Sequence, residues 1–230
     1  MRVVGLLGGM SWESSIEYER VINQRIRAEL GGVASADLII RSFNFADIER
    51  LQMSNDWVTA GNTLAGAAHA LEMAGAEALV LCTNTMHAVA DEIEAQLSIP
   101  LLHIGDPTGD AVTSAGISTV GLLGTRFTME QNFLSARLTD RFNLTVLVPS
   151  AADRTRVHDV IYEELVQGVI REESRRTYVE IVERLIDAGA QGIIAGCTEI
   201  ELLLREEDIP VPLFATARLH AEAAAAFALS

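Results

Sequence analysis

The stretch "AGAEALVLCTN" (74–84) joins three signals in one short segment. An Ala-Gly-Ala stop closes an amphipathic stretch, the apolar run "EALVLC" (77–82) has strand length, and Cys82-Thr83 ends it. The same order returns in "AGAQGIIAGCTE" (188–199), which ends on Cys197-Thr198 and Glu199. A second echo pairs "VGLLGGMSWE" (4–13) with "VGLLGTRFTME" (120–130). Gly5 and Gly121 are 116 positions apart, and Cys82 and Cys197 are 115 apart. Matching patterns at nearly one offset are the trace of a duplicated strand–helix lobe. The implied fold class is α/β: two pseudo-symmetric lobes, each a parallel sheet flanked by helices, with the site expected in the inter-lobe cleft.

Working outward, further apolar runs predict strands at 3–7, 37–42, 100–104, 118–123, 144–148, 192–197 and 211–214. Helical spacing lies between them. Ile16, Val21, Ile22, Ile26 and Leu30 trace one helix that stops at Gly31-Gly32. "AGNTLAGAAHALEMAGA" and "YVEIVERLIDAGA" predict two more, and "RLHAEAAAAFAL" a last one. The expected lobes are residues 1–100 and 101–211, with 212–230 a candidate to return to the first.

Composition narrows the function. Hydrophobic residues make up 49% of the 230, enough for a packed core. A net charge of −15 argues against nucleic acid or an anionic membrane as partner, so an acidic small molecule needs local donors. "VVGLLGGM" is too short to span a bilayer and lacks the flanks of a signal peptide. Two cysteines make no disulfide framework, which points to a reducing cytoplasm. All 17 basic side chains are arginine. Without a lysine, pyridoxal phosphate chemistry, Schiff-base aldol chemistry and a Walker phosphate loop are excluded. "GLLGGM" does not match the dinucleotide fingerprint either.

A cysteine that ends an apolar run is most often plain core. Here two sit at the carboxyl end of a predicted strand, where parallel sheets bind ligands. Thr83 and Thr198 are expected to cap following helices, with Asn84 and Glu199 in the first turn. The helix dipole then favours a thiolate, and open amides favour a carboxylate. Two cysteines without a close histidine pair are too few for a metal site. His87 reads as a surface or helix-packing residue. Two opposed thiols suit one chemistry: removing a proton from one face of a stereocentre and returning one to the other.

"GLLGGMSWES" (5–14), "LCTNTMH" (81–87) and "GCTEIELL" (196–203) resemble the aspartate/glutamate racemase family, and most of all its broad-specificity amino-acid racemases. "FADIERLQ" (45–52), "LLGTRFTMEQ" (122–131) and "IYEEL" (161–165) extend the resemblance along the chain. It implies a cofactor-independent enzyme acting on a small-molecule amino acid, no metal, and a homodimer. Carried over by motif, Cys82 and Cys197 are the two acid/base groups. Met10 and Gln52 line the pocket, and Thr83, Asn84 and Thr85 hold a carboxylate. Thr198 and Glu199 lie by the second thiol or the α-amino group.

The chain also departs from its relatives. Cell-wall glutamate racemases carry Asp-Ser-Gly on the first strand and a histidine after the second Cys-Thr; here those places read "LLGGM" and "CTEI". Aspartate racemases often place a lysine after "IYEEL", where this chain has "VQGVI" with Val169 near that place. Ala215 stands where relatives carry an acid. The alternatives are a hydantoin racemase, a dicarboxylate cis–trans isomerase, or a two-lobed protein that binds a metabolite without turning it over. The last needs no thiol at either position.

Overall fold

Eight apolar runs become eight strands, each parallel to its neighbours. A computed structural model describes all residues, Met1–Ser230. Strands β1 (Val4–Gly8), β2 (Leu38–Ser42), β3 (Ala78–Leu81) and β4 (Leu101–Leu102) form one sheet in the order β2-β1-β3-β4. Strands β5 (Thr119–Gly124), β6 (Thr145–Leu147), β7 (Gly192–Gly196) and β8 (Leu213–Ala215) form a second in the order β6-β5-β7-β8. The two orders are the same. In each sheet the inner strands are buried almost throughout, which is why they read as continuous apolar runs and not as alternation.

The chain divides into two units, Met1–Ile104 with His220–Ser230, and Gly105–Leu219. The first carries helices α1 (Trp12–Leu30), α2 (Phe45–Met53), α3 (Trp57–Met73) and α4 (Ala90–Glu94). The second carries α5 (Gly105–Ser114), α6 (Arg126–Glu130), α7 (Phe133–Phe142), α8 (Ala151–Glu163), α9 (Glu172–Asp187) and α10 (Ile200–Leu203). Helix α11 (Thr216–Leu229) begins in the second unit and ends in the first. The division differs from the boundaries drawn on the sequence. Leu101 pairs with Leu79 in the first sheet, and Leu213 with Ile193 in the second. The chain therefore leaves the first unit after Ile104 and returns only at His220. There Arg2 donates its amide to the Ala228 carbonyl at 2.9 Å and lays its guanidinium over the Phe227 ring.

The repeated motifs have repeated structural jobs. Helices α3 and α9 both close on a glycine with φ +107, a conformation that side chains resist. The closing bonds also match: Ala76 N–H reaches the Leu71 carbonyl at 3.0 Å and Ala190 N–H the Leu185 carbonyl at 2.9 Å. Gly5 and Gly121 then let those helices lie close to the sheet. A Cβ at Gly5 would sit 3.3 Å from Leu71 Cβ, and one at Gly121 2.9 Å from Leu185 Cδ1. In α1 the buried row is Ser14, Tyr18, Ile22 and Ile26, one every four residues. Ile16 and Leu30, expected on that face, are exposed. The fully buried Tyr18 sets the rotation of the helix instead. No helix is long and apolar enough to cross a membrane.

Candidate active site

Strand β3 delivers Cys82 to the carboxyl end of its sheet. The Cys82 amide continues the ladder by donating to the Leu7 carbonyl at 2.9 Å, and the residue is fully buried. The chain then turns at once: Thr83 N–H donates to the Leu81 carbonyl at 2.8 Å, so that amide is not open to a ligand. A single 3-10 stretch, Thr85–Val89, comes next. The cap position is Asn84 and not Thr83, and it makes no side-chain cap bond.

Around this turn the first unit gathers the other residues the sequence singled out there. Met10, Asn84 and Thr85 are buried, and Thr83 is partly exposed. Gln52 comes from the last turn of α2, and its Nε2 donates to Met86 Sδ at 3.0 Å, directly beyond the turn. Met10 belongs to the same apolar cluster as Met86. The glycine loop before Met10 is held internally. Gly9 N–H donates to Ser15 Oγ at 2.7 Å, and Ser15 Oγ donates to the Ser11 carbonyl.

The second unit builds its own version on β7. Cys197 and Thr198 are partly exposed and Glu199 is buried. Cys197 Sγ donates to Glu199 Oε2 at 2.9 Å. Helix α10 is only four residues long, and its cap position is Glu199, again without a side-chain cap bond. Thr216, fully buried, donates its hydroxyl to the Ala195 carbonyl at 2.8 Å and pins the end of β7.

Two expectations are corrected by this geometry. Neither threonine caps a helix, and neither cysteine faces a long helix whose dipole favours the thiolate. Burial wins. It pushes the Cys82 thiol well above its ordinary value, and at Cys197 burial comes first and the Glu199 carboxylate second in the same direction. Both sulfurs are therefore held as thiols at neutral pH. The equivalence of the two positions also needs refining. Leu7 pairs with Leu81 in one sheet and Leu123 with Ala195 in the other, so Cys82 is one residue past its pair and Cys197 two. Strand β7 is longer by one ladder position, Gly124 with Gly196.

The model of the Asp/Glu/hydantoin racemase family matches residues 7–224. The chain belongs to this family. A provisionally assigned Asp/Glu racemase from Yersinia pestis is 51% identical, covers 100% of both chains and superposes with a TM-score of 0.94. An aspartate racemase homologue from Pyrococcus horikoshii is 30% identical with both chains fully covered and a TM-score of 0.86. The aspartate racemase of Picrophilus torridus is 18% identical over 99% of this chain and 94% of its own, with a TM-score of 0.78. That last likeness bears on the fold alone.

This member of the Asp/Glu/hydantoin racemase family also has site neighbours that sequence reasoning missed. His87 is not on the surface: it is 2% exposed. Its Nδ1 lies 2.7 Å from the Thr83 carbonyl and its Nε2 accepts from Ile104 N–H at 3.1 Å. His103 and His220, both buried, set their rings 4.5 and 5.8 Å from it. Tyr18 Oη bonds His220 Nδ1 at 2.9 Å. A spacing of four from Ser14 to Ile26 could have flagged Tyr18. Nothing local marks the histidines as partners, because they come from far apart in the chain.

Proposed function

We propose that this chain is a cofactor-independent amino-acid racemase that interconverts L- and D-amino acids with Cys82 and Cys197 as its two acid/base groups. One observation carries the reading: a strand–Cys–Thr turn ends an inner strand of each of two sheets with the same strand order, within a chain of the Asp/Glu/hydantoin racemase family. The chemistry needs a thiolate on one face of the α-carbon and a thiol on the other. Each direction of reaction swaps those roles.

Because burial holds both sulfurs protonated, one must lose its proton before it can act. Glu199 is placed to take it. The proton moves from Cys197 Sγ to Glu199 Oε2, a contact already made at 2.9 Å. The thiolate left on Cys197 removes the substrate α-proton, and the carbanion takes the Cys82 thiol proton on its other face. After product leaves, solvent takes the proton from Glu199 and returns one to Cys82, restoring two thiols. Thr83, Asn84 and Thr85 hold the α-carboxylate beside Cys82, Met10 and Gln52 bound the pocket, and Thr198 lies beside the second thiol. In a chain with no lysine, a side-chain carboxylate on the substrate is met by hydroxyls, amides or arginine, which favours broad specificity over strict aspartate recognition.

The test is α-proton exchange in heavy water with freshly reduced protein and a panel of L- and D-amino acids that includes aspartate and glutamate. Exchange accompanied by racemisation is the expected result, with racemisation abolished in both Cys82→Ser and Cys197→Ser. No exchange with any member of the panel sinks the reading, and undiminished rates in both variants make the cysteines structural.

A further inference from the structure

One heavily braced side chain near the Cys82 turn has no part in the chemistry above. His87 spans it. Ile104 N–H can only donate, so His87 Nε2 is an acceptor and the ring proton sits on Nδ1, from which it is donated to the Thr83 carbonyl. One neutral imidazole thus ties the residue after Cys82 to the chain just past β4.

The ring itself is locked by its neighbours. His103 stacks edge-on against it, and His220 does the same from α11. The Leu102 carbonyl can only accept, so His220 carries a proton on Nε2, and its Nδ1 shares a hydrogen bond with the Tyr18 hydroxyl at 2.9 Å. Each of the two neighbouring imidazoles is thus held by a backbone group. Three of the five histidines are spent on this buried cluster, with elements α1, β4 and α11 meeting on it.

We infer that His87 is a positioning residue that fixes the Cys82–Thr85 turn through the Thr83 carbonyl, with His103 and His220 bracing its ring. Nothing reacts at His87, which does not touch Cys82 in any of these contacts. A turn freed by loss of this bond misplaces both the thiol and the threonines that follow it, and a misplacement of 1 Å costs about 100-fold in rate. The inference deepens the two-thiol reading and rests on it for that consequence.

Two half-mimics separate the arms of the ring. His87→Asn keeps a donor where Nδ1 was; Asn23 in this same chain makes the same four-residue reach, from Nδ2 to the Glu19 carbonyl at 2.9 Å. His87→Gln keeps only the longer arm to Ile104, and His87→Leu neither. Expected in α-proton exchange is a kcat about 100-fold down in His87→Leu and His87→Gln, with most of it regained in His87→Asn. Amide exchange read by mass spectrometry on the peptide around 82–85 should follow the same order, fast in His87→Leu and His87→Gln and protected in His87→Asn. Imidazole 15N spectra should place the His87 proton on Nδ1. If His87→Gln matches His87→Asn in amide exchange, or the proton lies on Nε2, the inference falls. If the wild type exchanges no amino acid, the two-thiol reading fails by itself, and amide exchange with the tautomer still decides the role of His87.

Discussion

Glu199→Gln separates two roles of one carboxylate. The side chain keeps its size and an acceptor oxygen for the Cys197 thiol, but loses its charge and its capacity as a base. The contact is 2.9 Å and Glu199 is 4% exposed, so little solvent stands between charge and sulfur. As a neighbouring negative charge, Glu199 raises the Cys197 thiol; removing it brings the thiol down and raises the thiolate fraction at neutral pH. As the group that takes the Cys197 proton, it contributes what a positioned general base does, about 10²–10⁴ in rate, or about 3–5 kcal/mol of barrier. The two consequences have opposite signs in two assays. In a Cys82→Ser background, Glu199→Gln should make Cys197 alkylate faster with iodoacetamide at pH 7. With both cysteines present it should racemise more slowly by at least about 100-fold. Racemisation at the wild-type rate or faster would show that the carboxylate only hinders the thiol and would refute the relay.

The other predictions concern the frame and the titration of the site. Gly9 has φ +84, and a Cβ there would lie 2.3 Å from both Phe43 N and Phe43 O, so Gly9→Ala combines backbone strain with overlap and should cost about 2–5 kcal/mol in urea unfolding; under about 1 kcal/mol would contradict this. Tyr178→Phe removes a buried hydroxyl that donates to the Val157 carbonyl at 2.9 Å and should cost about 1 kcal/mol, seen as about 2–4 °C in calorimetry, with no shift as the contrary result. Burial raises both thiols in the folded chain, so the unfolded chain ionises first. Their contribution to stability is whole below the ordinary thiol value of about 8.5 and drains as pH rises above it. Chemical unfolding from pH 7 to 10 should therefore fall more steeply for the wild type than for the double serine variant, and parallel curves would count against this assignment.

The inner strands were legible because helices enclose them and they need no alternation, and apolar runs mark all eight strands to within two residues at either end. The repeat was legible for a related reason. Gly75 and Gly189 share a backbone conformation that few residues adopt, so the two stops had to look alike. The segments just after the cysteines were harder to read. Thr83 and Thr198 look like caps, yet a threonine after a strand does not say whether the chain enters an α-helix, and here it enters a 3-10 stretch and a four-residue helix. Ile16 failed as a core residue because α1 turns to bury Tyr18 against His220, a partner at the far end of the chain. Of the two readings of His87, surface or helix-packing, burial leaves the packing one, and its partners were out of reach for the same reason. Its partners are Thr83, Ile104, His103 and His220, and no local period records that set.

The central claim, that two thiols act from opposite faces, is tested most directly by where solvent deuterium enters during early turnover in heavy water. If one thiolate takes the α-proton and a different thiol returns one, the product enantiomer carries deuterium from its first appearance while the remaining substrate stays protiated, with either enantiomer as the start. Product that keeps the substrate's own proton, or deuterium that enters substrate and product together, would mean a single base and would contradict the account.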